Sequence, residues 1–437
     1  MSHQCIVAKI DKIEEIPGAN NICSAYVLGT RVIVSKEKKV GDIGLFCPTE
    51  NQLSHEFCHH NNLYRHKELN KDEAKGGFFE SNRRIRTQKF LKTPSDGFFI
   101  ELSSLEFTGY DINLLKLGDQ FDELNGVKII SKYVSQRTLD YIAKNRIKKP
   151  RALSAPSFLP HVDTEQFNYY VDRIPAGSLI SIFSKYHGTS GRYSLSRVYK
   201  ILPRWKQWIN KVIPIFKTEE YQYLVGTRRV VLFEKDEDKK GFHGPETFRF
   251  EWLEKLKPYL TKNLVVYGEL VGWANGNTIM PKHDVTKLQD KAYVKKYGNE
   301  IIYKYGCQEG ESDFIIYRIS MVNDDGASID FTPYQVQNWC ETRGFKYAKQ
   351  LIPSFIYDGD KERLVELVTD LTERSDKLTE DYIDFTHISE GVVVRVDCSN
   401  PMPLFYKNKS FAFKVMEGIA KENEVDLEDA ADLALTN

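Results

Sequence analysis

With 437 residues the chain is too long for one ordinary core, so two or more domains are expected. Its 61 basic and 61 acidic side chains cancel, so bulk charge does not mark a nucleic-acid binder, and any such surface must be a local patch. No apolar run of about 18 residues occurs, which excludes a helical membrane span. The opening Met1-Ser2-His3-Gln4 lacks the basic head and apolar core of a secretory signal. Seven scattered cysteines, without a Cys-x-x-Cys pair, read as reduced thiols of an intracellular, cytoplasmic protein. A monomer is expected.

Residues 1 to 135 read as a β-rich first domain. Val27 to Val34 alternates as a strand, with turn chemistry at Pro17-Gly18 and Gly41-Asp42. The polar stretch from His55 to Gly77 predicts a long loop, and strands resume over Arg84 to Phe90 and Gly97 to Glu101. Several short strands in one small domain predict a barrel or sandwich. Residues 136–152 read as a basic linker, since Lys144 to Arg151 carries five basic residues in eight. Such a run is either a solvated connection or a strap that follows phosphates through Lys148 and Lys149.

Residues 153–437 mix strands with helices and form the second domain. Asn263 to Tyr267 and Gly391 to Val396 are β-branched runs of buried-strand type. Asp360 is placed to cap a helix with Leu364, Leu367, Val368 and Leu371 on one face.

Lys185-Tyr186-His187-Gly188-Thr189-Ser190 is the segment that points to chemistry. A lysine followed three residues later by glycine is common by chance. Its sequel is not: Tyr267-Gly268-Glu269, Phe314-Ile315-Ile316-Tyr317, Glu390-Gly391-Val392-Val393 and Lys407-Asn408-Lys409 follow in order. A lysine amine that attacks a nucleotide's α-phosphate must be uncharged, so it needs positive neighbours, a metal or desolvation. Lys407, Lys409 and Lys414 are candidates for those neighbours and for holding a triphosphate. Glu269 and Glu390 offer hard oxygen ligands for a divalent cation, Mg2+ or Mn2+. Taken singly, each is an ordinary loop-edge charge.

The ordered set resembles the covalent nucleotidyltransferase superfamily, most of all ATP-dependent RNA ligases with an amino-terminal OB-fold module. The resemblance implies an all-β OB-type barrel followed by an α+β nucleotidyltransferase domain of antiparallel sheets. It places Lys185 at the AMP-accepting position. Lys-x-His-Gly-Thr is similar to the form in phage RNA-repair and RNA-editing ligases, with His187 where aspartate is common. Gly226-Thr227-Arg228 resembles a short Gly-Ser-Arg element whose arginine lies near phosphate or sugar. The resemblance implies Glu269 on the ribose or the metal's water shell, Glu390 and the Lys407/Lys409 pair at the later motifs, and Tyr317 or Phe314 against adenine. Gly188 lets backbone approach the nucleotide.

Ala8 to Ile13, Ile16 to Ala19, Gly41 to Gly44 and Arg84-Ile85-Arg86 resemble the OB module of that branch, with Arg86, Lys89, Phe90 and Lys92 as candidate groove residues. The implied substrates are ATP and RNA ends or a nicked duplex, joined through lysyl-AMP in RNA repair or nick sealing. Alternatives within the superfamily are a DNA ligase or an mRNA-capping enzyme, in which the OB domain usually follows the catalytic one. An RNA-binding protein on an inactive ligase scaffold would be expected to lack Lys185 or Glu390.

Four features depart from the pattern: Ser184 before the lysine, Ser190 where asparagine is frequent, Tyr317-Arg318 in place of Phe-Asp, and an enlarged segment from Asn275 to Tyr305. Two side constellations remain. His55, Cys58, His59 and His60 are potential zinc ligands with no familiar spacing. The stretch from Arg197 to Lys211, with Trp205 and Trp208, is either an RNA-contacting surface or a half-buried helix.

Overall fold

The computed structural model describes residues 3–145, 155–199, 204–213, 219–232, 240–241, 244–378, 387–399 and 402–423. The chain divides into two units. The first combines Met1–Arg137 with Glu165–Asp172 and Phe411–Val425; the second is built from Thr138–Thr164 and Arg173–Ser410.

The first unit holds a half-barrel sheet made from β1 (Cys5–Glu15), β2 (Ile22–Val27), β3 (Thr30–Ser35), β4 (Ile43–Cys47), β5 (Phe98–Glu101) and β6 (Gln120–Phe121). The order is β3-β2-β1-β4-β5, with β6 paired to β1. A bulge between Ile10 and Lys12 bends β1, so its first half pairs with β4 (Ile6↔Phe46) and its second with β2 (Ile13↔Ala25). Alternation then feeds two cores. Ile6, Ala8, Ile10 and Phe46 join one; Cys5, Leu45 and Cys47 join the other, under Phe57 and Leu105.

Two expectations change here. Val27 to Val34 is not one strand: Leu28 and Gly29, at φ 51° and 67°, turn β2 into β3 as a tight hairpin. The stretch from His55 to Gly77 is not simply a loop. It contains a helix, His55–His60, and a 3-10 turn, Lys67–Leu69. Buried Asn70 organises the remainder, donating to Tyr64 O (2.9 Å) and Lys75 O (2.8 Å) and accepting from the Tyr64 amide (2.9 Å). Side-chain bonds here replace secondary structure. Gln136–Asn145, inside the expected linker, is a helix.

The second unit has two antiparallel sheets. One contains β7 (Leu179–Lys185), β12 (Gly391–Asp397) and β13 (Leu404–Lys409), in the order β13-β12-β7. The other contains β8 (Thr189–Tyr199), β9 (Glu219–Gly226), β10 (Leu264–Ala274) and β11 (Ser312–Val322), in the order β9-β8-β10-β11. The Lys361–Leu378 helix covers one face of the first sheet with Leu364, Val368 and Leu371, and Asp360 Oδ1 accepts the Arg363 amide at its start. The Thr247–Leu256 and Pro333–Glu341 helices cover the second around Trp252, Leu256, Val266, Phe314, Ile316 and Trp339. The uncovered faces look at each other. Arg318 of β11 lies over Tyr267 of its own sheet (4.8 Å) and Phe405 of the other (5.8 Å).

Candidate active site

Three strand ends meet at the mouth of this cleft. Lys185 closes β7, Gly391 opens β12 and Lys409 closes β13, and the register aligns them as Lys185↔Gly391↔Lys409. Residues directly opposite across a sheet share a face, so both ammoniums rise on the same side. Glu390, just before Gly391, meets them there. Its Oε1 lies 2.9 Å from Lys185 Nζ and 3.5 Å from Lys409 Nζ. The carboxylate is only 2% exposed, and a buried charge of that kind persists only with such partners. Its Oε2 is buried without a hydrogen bond, with His187 Nδ1 at 3.9 Å. Gly391 sits at φ 137°, and a Cβ there would meet Asn408 O at 2.1 Å, so only glycine lets β13 close on the turn.

From Lys185 the chain crosses to β8 in the second sheet. Gly188 makes the crossing tight, since a Cβ there would meet Leu270 O at 2.3 Å and Glu269 Cγ at 2.8 Å. Glu269 stands opposite Ser190 in the β8/β10 register. Three supports of this crossing carry no signal in the sequence. Arg249, buried in the Thr247–Leu256 helix, donates to Ser190 O (2.6 Å) and Thr189 Oγ1 (2.8 Å) and pairs with Glu246 (2.7 Å). Tyr305 accepts the His187 amide at 2.8 Å, from a backbone held at φ 48°. Tyr303 stands edge-on to the His187 ring (4.7 Å) and bonds His283 Nδ1 through its hydroxyl (3.0 Å). The enlarged segment from Asn275 to Tyr305 therefore supplies an aromatic floor beneath the lysine loop.

The other end of the cleft is shaped by a bulge in β11. Tyr267 pairs with Arg318 but Gly268 pairs with Ile316, leaving Tyr317 as the extra residue. The bulge lets Tyr317 and Arg318 face the same side. Phe314 faces the opposite way, fully buried against Tyr193 and Trp252, and offers no face to a ligand. Tyr317 is 36% exposed, and its hydroxyl bonds His161 Nδ1 at 2.5 Å. Arg318 is bound on two sides by Asp330, at 2.6 and 2.8 Å, which explains an arginine at this departure from the pattern. Arg228 reaches Asp163 at 2.8 Å.

No cluster of three or more metal-ligating side chains occurs among the described residues. Magnesium and manganese sites that rely on phosphate and water need only one or two carboxylates, and the unbonded Oε2 of Glu390 fits that demand.

A protein-family model described as RNA ligase matches residues 180–416, more than half of the chain, from β7 to beyond β13. The chain belongs to the RNA ligase family. Members are ATP-dependent ligases, and this chain is an RNA ligase. No curated protein sequence matches it significantly. Several solved structures of Naegleria gruberi RNA ligase share its fold. A variant with ATP and Mn aligns at TM-score 0.56 and 16% identity over 97% of this chain and 99% of that one. A variant with AMP and Mn gives 0.56 and 16% over 94% and 97%, and the structure with PPi gives 0.54 and 15% over 94% and 97%.

The remaining candidates of this RNA ligase fall in several places. Lys407 is half-buried, opposite Val393 and on the Lys409 face of β13. Lys414, expected at the triphosphate, belongs to the first unit, where its ammonium pairs with Asp96. Arg86, Lys89 and Lys92 lie in or beside the hairpin Thr87–Phe90/Thr93–Asp96, whose tip residues Leu91 and Lys92 hold φ 47° and 71°. Lys148 and Lys149 lie outside the described residues. The potential zinc ligands share one short helix but turn to other partners: Cys58 is in the core, His55 bonds Tyr64 (2.8 Å), His59 bonds Leu69 O (2.8 Å), and His60 stacks on Phe107. Trp205 and Trp208, for which a half-buried helix was one reading, are 58% and 70% exposed. No helix among the described residues is long and apolar enough to cross a membrane.

Proposed function

We propose that this RNA ligase joins RNA 3′-hydroxyl and 5′-phosphate ends through an AMP carried on Lys185, and that nick sealing or RNA repair is its use. The observation that carries the reading is the buried carboxylate of Glu390 between Lys185 and Lys409. At rest, Glu390 holds Lys185 as an ion pair. Lys409 competes for the same oxygen, which loosens the hold of Glu390 on Lys185. The Lys185 nitrogen then attacks the α-phosphorus of ATP, the bond to pyrophosphate breaks and the amine proton is lost. In the second step the RNA 5′-phosphate displaces lysine, and in the third the 3′-hydroxyl displaces AMP and closes the strand.

Lys407 and Lys409 hold the phosphates and offset the charge that grows on them. Glu269 is assigned to the ribose hydroxyls, Tyr317 to the adenine and Arg228 to phosphate or sugar. Glu390 and Glu269 are the carboxylates to hold Mg2+ or Mn2+, which when bound supplies charge neutralisation at phosphorus. The first unit acts as an OB-type clamp, with Arg86, Lys89 and Lys92 along the RNA backbone.

The test is the full chain with ATP, Mg2+ or Mn2+, and nicked RNA bearing 5′-phosphate and 3′-hydroxyl ends. Sealing that depends on ATP supports the reading. Labelling by GTP instead would favour a capping-type enzyme, sealing restricted to DNA would favour a DNA ligase, and RNA binding without either would favour an inactive scaffold.

A further inference from the structure

The segment Phe158–Asp163 lies ahead of the region matched by the family model, yet four of its residues are tied to the cleft. Arg192 donates to Phe158 O (2.9 Å) and stacks on the Phe158 ring (4.3 Å). Tyr267 donates to Leu159 O (3.2 Å). The His161 amide donates to Arg228 O (3.1 Å), and Asp163 pairs with Arg228 and Arg229 at 2.8 and 3.0 Å. His161 stands at the centre. Its ring meets Tyr267 edge-on at 5.1 Å, its Nδ1 bonds the Tyr317 hydroxyl, and its Nε2 is buried without a partner.

An exposed tyrosine on a bulge rotates about χ1 and χ2 unless its hydroxyl is held. Tyr317 is held by one named bond, and the residue that makes it is itself fixed at its backbone and ring. Burial and then the charges of Arg192, Arg228, Arg318 and Arg249 keep the His161 imidazole neutral, well below its ordinary range, so it has a lone pair for the tyrosine proton.

We propose that His161 is a positioning residue for nucleobase recognition: it locks the Tyr317 ring in the orientation that receives the purine of ATP. The inference rests on reading this cleft as the nucleotide site. Pre-set rings lose less rotamer freedom when a base arrives, so the effect belongs to binding rather than to the chemical step.

The experiment measures lysyl-AMP formation from ATP by the full chain for His161→Phe, His161→Asn, Tyr317→Phe, the His161→Phe/Tyr317→Phe double variant and Tyr317→Ala. His161→Phe and Tyr317→Phe should each raise KM for ATP about tenfold, with kcat within about twofold. The double variant should be no worse than either single one, because both remove one bond. His161→Asn, which can still bond the hydroxyl, should recover most of the loss. Tyr317→Phe deletes one oxygen and keeps the fold, so the test survives if His161→Phe does not fold. Unchanged KM in Tyr317→Phe, or fully additive losses in the double variant, would overturn the proposal. If Tyr317→Ala also leaves KM for ATP unchanged, the nucleotide-site reading itself fails; if Tyr317→Ala raises KM while Tyr317→Phe does not, only the role of His161 fails.

Discussion

Lys185 and Lys409 stand two strands apart in one row of the sheet, with Gly391 between them, and both ammoniums reach the same oxygen of Glu390. A single carboxylate with two lysines gives the cleft a reserve of positive charge held in check by one negative group. Removing that group should not free the site for chemistry, because its second oxygen, the best candidate for a cation, is lost with it. Glu390→Ala should lower ATP-dependent pyrophosphate release by at least about a hundredfold, with an unchanged circular dichroism spectrum. Lys409→Ala should lose less at saturating ATP than Glu390→Ala, since Lys407 shares its face.

Gly188→Ala should abolish pyrophosphate release without removing any reactive group. The added methyl has to displace Leu270 O and Glu269, the two atoms it would meet below 3 Å. A thermal melt within a few degrees of the parent, together with lost activity, would locate the effect in the loop. Normal activity would mean that the crossing from β7 to β8 is looser than its geometry indicates.

Asp330→Ala should destabilise the fold by about 3–5 kcal/mol, because it strands the buried Arg318 guanidinium between Tyr267 and Phe405. Urea unfolding followed by tryptophan fluorescence checks this. A loss below about 1 kcal/mol would show that water reaches Arg318.

Acid should weaken the fold partly through His161. Its folded pKa is pushed below the ordinary value of 6.5, first by burial and then by Arg192, Arg228, Arg318 and Arg249. The unfolded chain therefore takes up a proton below that value that the folded chain refuses, and this share of stability is present above pH 6.5 and falls as pH drops. Comparing unfolding free energies at pH 7.5 and 5.5, His161→Asn should lose less than the parent. Equal losses would show that His161 is solvated.

Contacts of the first unit with RNA should separate from the nucleotide step. Lys89→Glu with Lys92→Glu should weaken sealing of nicked RNA most at low salt and flatten its salt dependence, while lysyl-AMP formation stays within about twofold. Parallel assays of the two steps at two salt concentrations decide it; equal sealing would remove the hairpin from the RNA path.

What the sequence made legible follows from chemistry. Lys185, Glu390 and Lys409 stand together in the sequence reading because phosphoryl transfer restricts residue type; their alignment in one row of a sheet is visible only in the fold. Tyr317 and Phe314 could not be separated in advance, since a bulge one residue long decided which way β11 presents its rings. Lys414 follows Lys409 by only five residues, yet the chain there leaves β13 for a helix grouped with the first unit, a change of unit that no local pattern announces. Arg249, Tyr303, Tyr305 and His161 carry no local signal. Each acts by a bond to a residue at least 59 positions away, or in the case of Tyr303 by packing on His187, and such bonds exist only in the folded chain.

The most direct measurement is peptide mapping of the full chain after incubation with α-labelled ATP and a divalent cation. The account predicts one AMP per chain, acid-labile as a phosphoramidate, on the peptide containing Lys185, with none on Lys185→Ala. Label retained by Lys185→Ala, or found on a peptide without Lys185, would contradict it.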